Sequence, residues 1–213
     1  RIWTELGPHA GEVVDLHTAS AYCPAWVFYE ADGVSEKAPK ETAYRSEEMA
    51  RLFSAPILYV ETEPYGGRKT LRACCVDKGI PAIVPELGGH GRFEEEIVRI
   101  AHQGLRNIMI DLGIIDGEVK LPKLQVKLKW RADPKVYTAH SQKGGVFIPT
   151  VKLGDTVKKG QEVGYIYSPR TFDTLETLTA PQDGYVFTIR ENPVAQPGDG
   201  LVGVPEIIEW LEN

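Results

Sequence analysis

The segment Glu12-Val13-Val14-Asp15-Leu16-His17-Thr18-Ala19-Ser20 decides how the rest of the chain is interpreted. Its apolar residues predict a buried strand, and these residues are Val13, Val14 and Leu16. Reactive groups of α/β enzymes lie at the carboxyl ends of strands, so Asp15 and His17 are candidate site residues. Imidazole is a common zinc ligand, and a bound histidine usually donates its second N–H to a carboxylate or carbonyl. The alternative is a histidine that is only hydrogen-bonded at a strand end.

A second segment, Ala82-Ile83-Val84-Pro85-Glu86-Leu87-Gly88-Gly89-His90-Gly91, has the same organisation. An apolar run ends in Glu86, and glycines follow that allow the backbone to approach a ligand closely. If the two strands are neighbours in a parallel sheet, Glu86 and His17 emerge at one edge. The alternative is that Glu86 caps the following helix or turn.

Together these segments resemble the succinylglutamate desuccinylase/aspartoacylase family of zinc-dependent deacylases, relatives of the zinc carboxypeptidases. The matching residues are Asp15-Leu16-His17-Thr18 and Pro85-Glu86-Leu87-Gly88-Gly89, followed by a β-rich part. The resemblance covers nearly the whole chain in that order. It implies zinc as the cofactor, His17 as a zinc ligand and Glu86 as the carboxylate that activates water. Asp15 would then orient His17, or would only bond a loop amide.

The family takes its other two zinc ligands from a His-x-x-Glu motif upstream of the Asp-Leu-His segment. No His-x-x-Glu motif is identified anywhere in this chain. The chain also starts at Arg1 rather than at a methionine and reaches its first strand within about a dozen residues. We therefore expect it to be the C-terminal part of a longer protein, inactive alone, with the other ligands upstream of Arg1.

The order of the elements predicts an α/β fold with a mostly parallel sheet and flanking helices. Helices are predicted at 41–55, 68–78 and 92–112, and strands near 13–16, 57–60 and 82–85. This is a zinc carboxypeptidase-like domain over 1–120, incomplete at its N-terminus. Residues 22–40 are predicted to be a long loop whose aromatic side chains pack on the sheet or, less favoured, wall a pocket: Trp26, Phe28 and Tyr29.

Residues 121–213 are predicted to form a small all-β barrel-sandwich domain with a short closing helix over 205–213. Thr179-Ala180-Pro181-Gln182-Asp183-Gly184-Tyr185-Val186 resembles the biotinyl/lipoyl hammerhead. Carriers of that kind need a lysine about seven residues before the Ala-Pro pair, where this chain has Asp173. Aspartate cannot accept biotin or lipoate, so a carrier role is disfavoured.

Four further residues are weaker candidates for binding the substrate: Arg68, Arg72, Tyr65 and His90. Substrates of the family often carry a carboxylate, which an arginine can bind through two N–H groups. The favoured alternative is that the arginines are solvated on a helix surface and that His90 is an exposed loop residue.

Composition excludes several other classes of function. The net charge of −6 argues against nucleic-acid binding. The sequence contains no apolar run of 18 residues, so no membrane span is predicted. Three cysteines, two of them adjacent, do not suggest a disulfide framework and favour the cytoplasm.

The sequence therefore predicts a zinc-dependent hydrolase that removes the acyl group from an N-acylated amino acid or a similar small amide. The sequence is also compatible with assembly of the protein into a homo-oligomer. The alternative is a binding or regulatory protein that keeps the deacylase fold without a complete metal site.

Overall fold

The computed structural model describes residues 2–5, 7–19, 23–64, 68–89 and 93–213. The α-helices in these ranges are α1 (Ile2–Glu5), α2 (Lys40–Leu52), α3 (Leu71–Val76) and α4 (Glu95–Asp111). The strands of the first half are β1 (Val13–Val14), β2 (His17–Ala19), β3 (Trp26–Glu30), β4 (Ile57–Glu61), β5 (Ala82–Gly89) and β6 (Leu124–Trp130). The strands of the second half are β7 (Thr138–His140), β8 (Gly145–Pro149), β9 (Thr156–Val157), β10 (Glu162–Tyr167), β11 (Thr174–Thr179), β12 (Gly184–Tyr185), β13 (Thr188–Ile189), β14 (Val194–Ala195), β15 (Gly200–Gly203) and β16 (Ile207–Glu212). No helix of the described ranges has the length and apolar character needed to cross a membrane.

A seven-stranded sheet in the order β1-β5-β3-β4-β6-β16, with β2 also paired to β5, positions the candidate site. The pairs β1–β5, β2–β5, β3–β4 and β4–β6 are parallel, whereas β3–β5 and β6–β16 are antiparallel. The fold is therefore a mixed α/β fold with a central sheet, as the sequence predicts, and most of its pairings are parallel. The edge strand β1 is only half-buried, and Leu16, predicted to be buried, is 47% exposed.

Strand β3 corrects the prediction of a long loop at 22–40, because it lies between β5 and β4 inside the sheet. Its residues alternate between two faces, as expected for a strand. Val27 and Tyr29 are buried in the core beneath α2 and α4, and Trp26 and Phe28 pack in a second cluster on the opposite face. This alternation places aromatic side chains directly beside the residues that end β5.

The predicted helices are present with shorter bounds. Helices α2 and α4 contribute to one core cluster against β3, β4 and β5, with Met49 and Phe53 among its fully buried side chains. Helix α3 begins after Thr70, whose hydroxyl accepts a hydrogen bond from the backbone N–H of Ala73. Arg68 thus lies before this helix, whereas Arg72 lies in its first turn.

The β-rich part of the chain, which we define as residues 138–203, contains three small sheets in the orders β11-β10-β8-β14, β9-β12 and β13-β15-β7. They surround one apolar core that includes Phe147, Val163 and Ile166. Strands β6 and β16, which we assigned to a domain over 121–213, join the larger sheet instead. The predicted closing helix over 205–213 is wrong, because Ile207–Glu212 is strand β16 and pairs with β6.

Candidate active site

The structure brings Asp15, His17 and Glu86 together at one edge of the larger sheet. Strands β2 and β5 run parallel, and His17 lies directly opposite Glu86 in their register. His17 Nδ1 is 3.7 Å from Glu86 Oε1, and His17 Nε2 is 3.2 Å from Asp15 Oδ2. Both ring nitrogens of His17 therefore face a carboxylate, which fixes the ring between two acids.

Glu86 is the most enclosed of these three side chains, with 16% exposed against 27% for Asp15 and 48% for His17. Among the described residues, nothing hydrogen-bonds the buried Oε2 atom of Glu86. Burial raises the pKa of the Glu86 carboxyl, while the nearby His17 lowers it and Asp15 adds a smaller increase. A carboxylate made more basic by burial, with one oxygen unpaired, is suited to accepting a proton.

The glycine after Leu87 shapes the end of β5. Gly88 has φ +71, which is a left-handed conformation, and a Cβ atom there would lie 3.6 Å from the Ile97 side chain of α4. Glycine adopts such a backbone without the steric cost that other residues have. Gly88 therefore lets β5 continue past Glu86 while its backbone packs closely against α4.

A cleft of about 530 Å³ opens beside these residues. Its wall includes Trp26 and Phe28 from β3 and Trp130 at the end of β6. The remaining lining residues are Asp15, His17, Thr70, Leu71, Arg72, Val84, Glu86, Ala132 and Pro134. Sequence reasoning missed Trp130 and favoured simple packing for Trp26 and Phe28. The alternation of β3 was the signal that could have placed these two rings on the cleft side.

Arg72 lines the cleft but is not a solvated surface residue, so that interpretation is wrong. Its side chain is 3% exposed, and Nη1 donates to Glu30 Oε1 at 2.6 Å while Nη2 donates to Glu61. Its guanidinium also lies over the Phe28 ring, 4.7 Å from the ring centroid. The positive charge at the cleft wall is therefore matched by two buried carboxylates.

Arg68 belongs to the same ion network but is absent from the cleft wall. It pairs with Glu30 at 2.9 Å and with Asp77 at 2.6 Å. The solvated interpretation is therefore wrong for this arginine too. The other two weaker candidates, Tyr65 and His90, lie outside the described residues.

One His-x-x-Glu pair does occur in the sequence, so the interpretation that the chain contains none is wrong. His9-Ala10-Gly11-Glu12 has the spacing of the motif. The Glu12 carboxylate is bound by Arg45, whose Nη2 lies 3.2 Å from Oε2, and His9 is exposed at the end of a short 3-10 helix. Glu12 precedes β1, whereas Asp15 and His17 follow it. The Glu12 carboxylate is therefore engaged by Arg45, at the opposite end of β1 from Asp15.

Within the ranges that the structure describes, no three histidine, cysteine, aspartate or glutamate side chains are arranged to hold a metal ion. A catalytic zinc site needs three protein ligands and an open position. His17 supplies one imidazole, and its neighbours Asp15 and Glu86 do not complete a ligand set. The described residues alone thus do not form a zinc site.

No family model matches the chain. The chain is similar to the N-alpha-acetyl-L-2,4-diaminobutyric acid deacetylase of Halomonas elongata, with 26% identity over 208 residues. This similarity covers 97% of the chain but 59% of that relative. The chain therefore spans less than two thirds of the length of this curated relative.

Solved structures share the fold. A succinylglutamate desuccinylase/aspartoacylase from Rhodobacter sphaeroides has a TM-score of 0.75 and 24% identity, covering 98% of this chain and 62% of that chain. The product-bound ectoine utilization protein EutE (DoeB) from Ruegeria pomeroyi has a TM-score of 0.77 and 23% identity, covering 96% and 61% respectively. The resemblance to the succinylglutamate desuccinylase/aspartoacylase family is thus confirmed over nearly the whole chain.

Proposed function

We propose that this protein is a deacylase that hydrolyses the amide bond of an N-acylated amino acid. The observation that carries the proposal is the pairing of His17 with Glu86 on neighbouring parallel strands, at the wall of the cleft. The similarity to a curated deacetylase supports it over nearly the whole chain. Hydrolysis of N-acetylated amino acids by the native protein, measured as release of the free amine, tests it directly.

Glu86 acts as the general base in this proposal. Its carboxylate takes a proton from a water molecule that attacks the acyl carbon, and it later delivers that proton to the leaving nitrogen. The C–N bond breaks, so the products are a carboxylate and an amine. Asp15 holds the His17 ring through Nε2, which keeps Nδ1 facing Glu86.

We propose zinc as the cofactor, with His17 as one of its ligands, although the described residues do not complete the site. Bound zinc would polarise the amide carbonyl and make a bound water more acidic. An incomplete ligand set also favours the second candidate function, a binding protein that keeps the fold without catalysis. Ligand binding without any turnover by the native protein would support that second candidate.

Zinc content gives a direct test of the role of His17. We expect the 213-residue chain to bind zinc weakly, because a single imidazole provides one of the usual three ligands. His17→Ala should abolish this binding, and His102→Ala, on the exposed surface of α4, is the control. Equilibrium dialysis against a buffer of known zinc concentration, followed by metal analysis, measures both variants. Stoichiometric zinc that survives His17→Ala would contradict the assignment.

The charges around the cleft favour a substrate with a second amino group. Asp15 and Glu86 line the cleft, and the charge of Arg72 is already matched by Glu30 and Glu61. Trp26 and Trp130 also line the cleft, and the faces of aromatic rings attract cations. The curated relative is named for a substrate that carries such an amine. We therefore propose an N-acetylated diamino acid as the substrate.

This preference can be measured with two substrates of nearly equal shape. Nα-acetyl-L-2,4-diaminobutyrate carries an ammonium group where Nα-acetyl-L-norvaline carries a methyl group. We expect kcat/KM to be about ten- to a hundredfold higher for the first, as is typical of a hydrogen bond to a charged group. Equal values for the two substrates would contradict the proposed preference but not the deacylase function.

For the β-rich part we propose a hammerhead-like arrangement without a covalent cofactor. Asp173 occupies the position at which a carrier has its lysine. We propose that the β-rich part instead packs against the larger sheet and shapes the cleft of the enzyme.

A further inference from the structure

Trp26 stands beside Glu86 in the sheet. Strand β3 pairs with β5 so that Trp26 lies opposite Glu86, and β2 pairs on the other side so that His17 also lies opposite Glu86. Side chains of directly paired residues lie on one face of a sheet and contact each other. The His17, Glu86 and Trp26 side chains thus form a row across three strands, and all three line the cleft.

Aromatic packing surrounds the Trp26 ring in this row. Within the described residues, the buried Nε1 atom of Trp26 has no hydrogen-bond partner of normal geometry. The Cys23 thiol interacts with the indole, but sulfur is a weak acceptor. Three rings contact the indole edge-on instead, with centroid distances of 5.9 Å for Phe28, 5.2 Å for Tyr59 and 5.6 Å for Phe187.

Phe187 is the one of these three rings that comes from the β-rich part. It is 6% exposed, and its backbone N–H donates to Gly203 O at 2.9 Å, which ties it to β15. Its ring also lies 4.8 Å from that of Tyr59, whose hydroxyl is hydrogen-bonded to Tyr137 at 3.0 Å. Phe187 is therefore fixed on the β-rich side and presents its ring to Trp26.

We propose that Phe187 is a positioning residue that sets the Trp26 ring as the cleft wall next to Glu86. The β-rich part thereby determines how tightly the substrate is held at this wall, without touching the substrate itself. This inference rests on the proposed deacylase function for its effect on the substrate. The effect on the Trp26 ring is independent of that function.

The test compares two phenylalanine substitutions in the native protein. Phe187→Leu should raise KM about three- to tenfold, the range expected for the loss of aromatic pairs, while kcat stays close to its original value. Phe147→Leu is the matched control, because Phe147 is 2% exposed and belongs to the core of the β-rich part, a different cluster from the one that contains Phe187. Phe147→Leu should leave KM unchanged, and Phe187→Tyr, which keeps the ring, should restore it.

A spectroscopic measurement follows the ring directly. The protein has four tryptophans, so the indole N–H signal of Trp26 can be resolved and assigned by NMR. The signal should move in Phe187→Leu and stay in place in Phe147→Leu. If Phe187→Leu fails to fold, a nuclear Overhauser contact between Phe187 and Trp26 that persists with bound Nα-acetyl-L-2,4-diaminobutyrate supports the proposal, and its loss overturns it.

The outcomes separate this inference from the proposed function. An unchanged KM in Phe187→Leu overturns the positioning role, whether or not the Trp26 signal moves. An unchanged Trp26 signal also overturns it, because the ring is then held without Phe187. Absence of hydrolysis and of binding in the native protein overturns the proposed function, whereas the Trp26 signal still reports on Phe187.

Discussion

Replacing Glu86 with glutamine is expected to lower kcat for an N-acetylated amino acid by about two to four orders of magnitude, the usual contribution of a general base. Glutamine keeps the size of the side chain and its place opposite His17, but it cannot accept a proton from water. The zinc content and the melting temperature of the native protein should stay unchanged. Single-turnover kinetics of the purified variant measure the loss.

Glu12→Gln is the control for this experiment. The two glutamates are equally enclosed, with 15% of the Glu12 side chain and 16% of the Glu86 side chain exposed. Glu12 also belongs to the His9-x-x-Glu12 sequence, so its replacement tests whether that pair binds metal. We expect Glu12→Gln to lower stability through its lost contact with Arg45 and to keep both turnover and zinc.

Two results would contradict the role of Glu86. Near-normal turnover in Glu86→Gln would show that Glu86 is structural, and that the His17–Glu86 pair only closes the sheet edge. Loss of zinc together with activity would make Glu86 a ligand rather than a base. In that case the location of the site would be right and its chemistry wrong.

Replacing Arg72 with methionine is expected to lower the free energy of unfolding by about 3–5 kcal/mol, as is typical when one partner of a buried ion pair is removed. Glu30 and Glu61 are each 1% exposed and would lose their shared guanidinium. Methionine is also apolar and unbranched, so it fills much of the space and leaves mainly the charge imbalance. Urea denaturation of the 213-residue chain measures the change.

Arg45→Met is the control, since Arg45 also pairs with carboxylates, three rather than two, but is 21% exposed. Pairs near the surface contribute about 1 kcal/mol or less, so this loss should be smaller. Adding Glu61→Gln to Arg72→Met should recover part of the stability, because it removes one of the buried charges. A loss below about 1 kcal/mol in Arg72→Met would show that the network is not a determinant of stability.

The pairing of His17 with Glu86 could be predicted because each residue ends a short apolar run. The end of such a run marks the end of a strand without any knowledge of the strand's partners. Parallel strands then bring their carboxyl ends to one edge of the sheet. The ion network around Arg72 could not be predicted in this way. Its acids belong to β3 and β4, and Glu30 falls in the segment that we assigned to a loop, so the partners appear only after the strands pair.

The last strand shows how tertiary pairing overrides a local pattern. Ile207, Ile208, Trp210 and Leu211 have a spacing that fits a helix as well as a strand. Hydrogen bonding to β6, far away in the sequence, selects the strand. Periodicity in a six-residue segment cannot report such a partner. The same reason explains why the sequence places Leu124–Trp130 in the all-β domain predicted over 121–213 rather than in the larger sheet.

The pairing of β6 with β16 has a consequence for how the β-rich part is attached. These two strands are antiparallel neighbours, with Leu128 opposite Ile207. The β-rich part is therefore an insertion in the connection between two paired strands of the larger sheet. An insertion anchored at both ends on adjacent strands is more restricted in its rotation than a domain attached by a single linker. Phe187 therefore reaches Trp26 from a platform with two attachment points on the larger sheet.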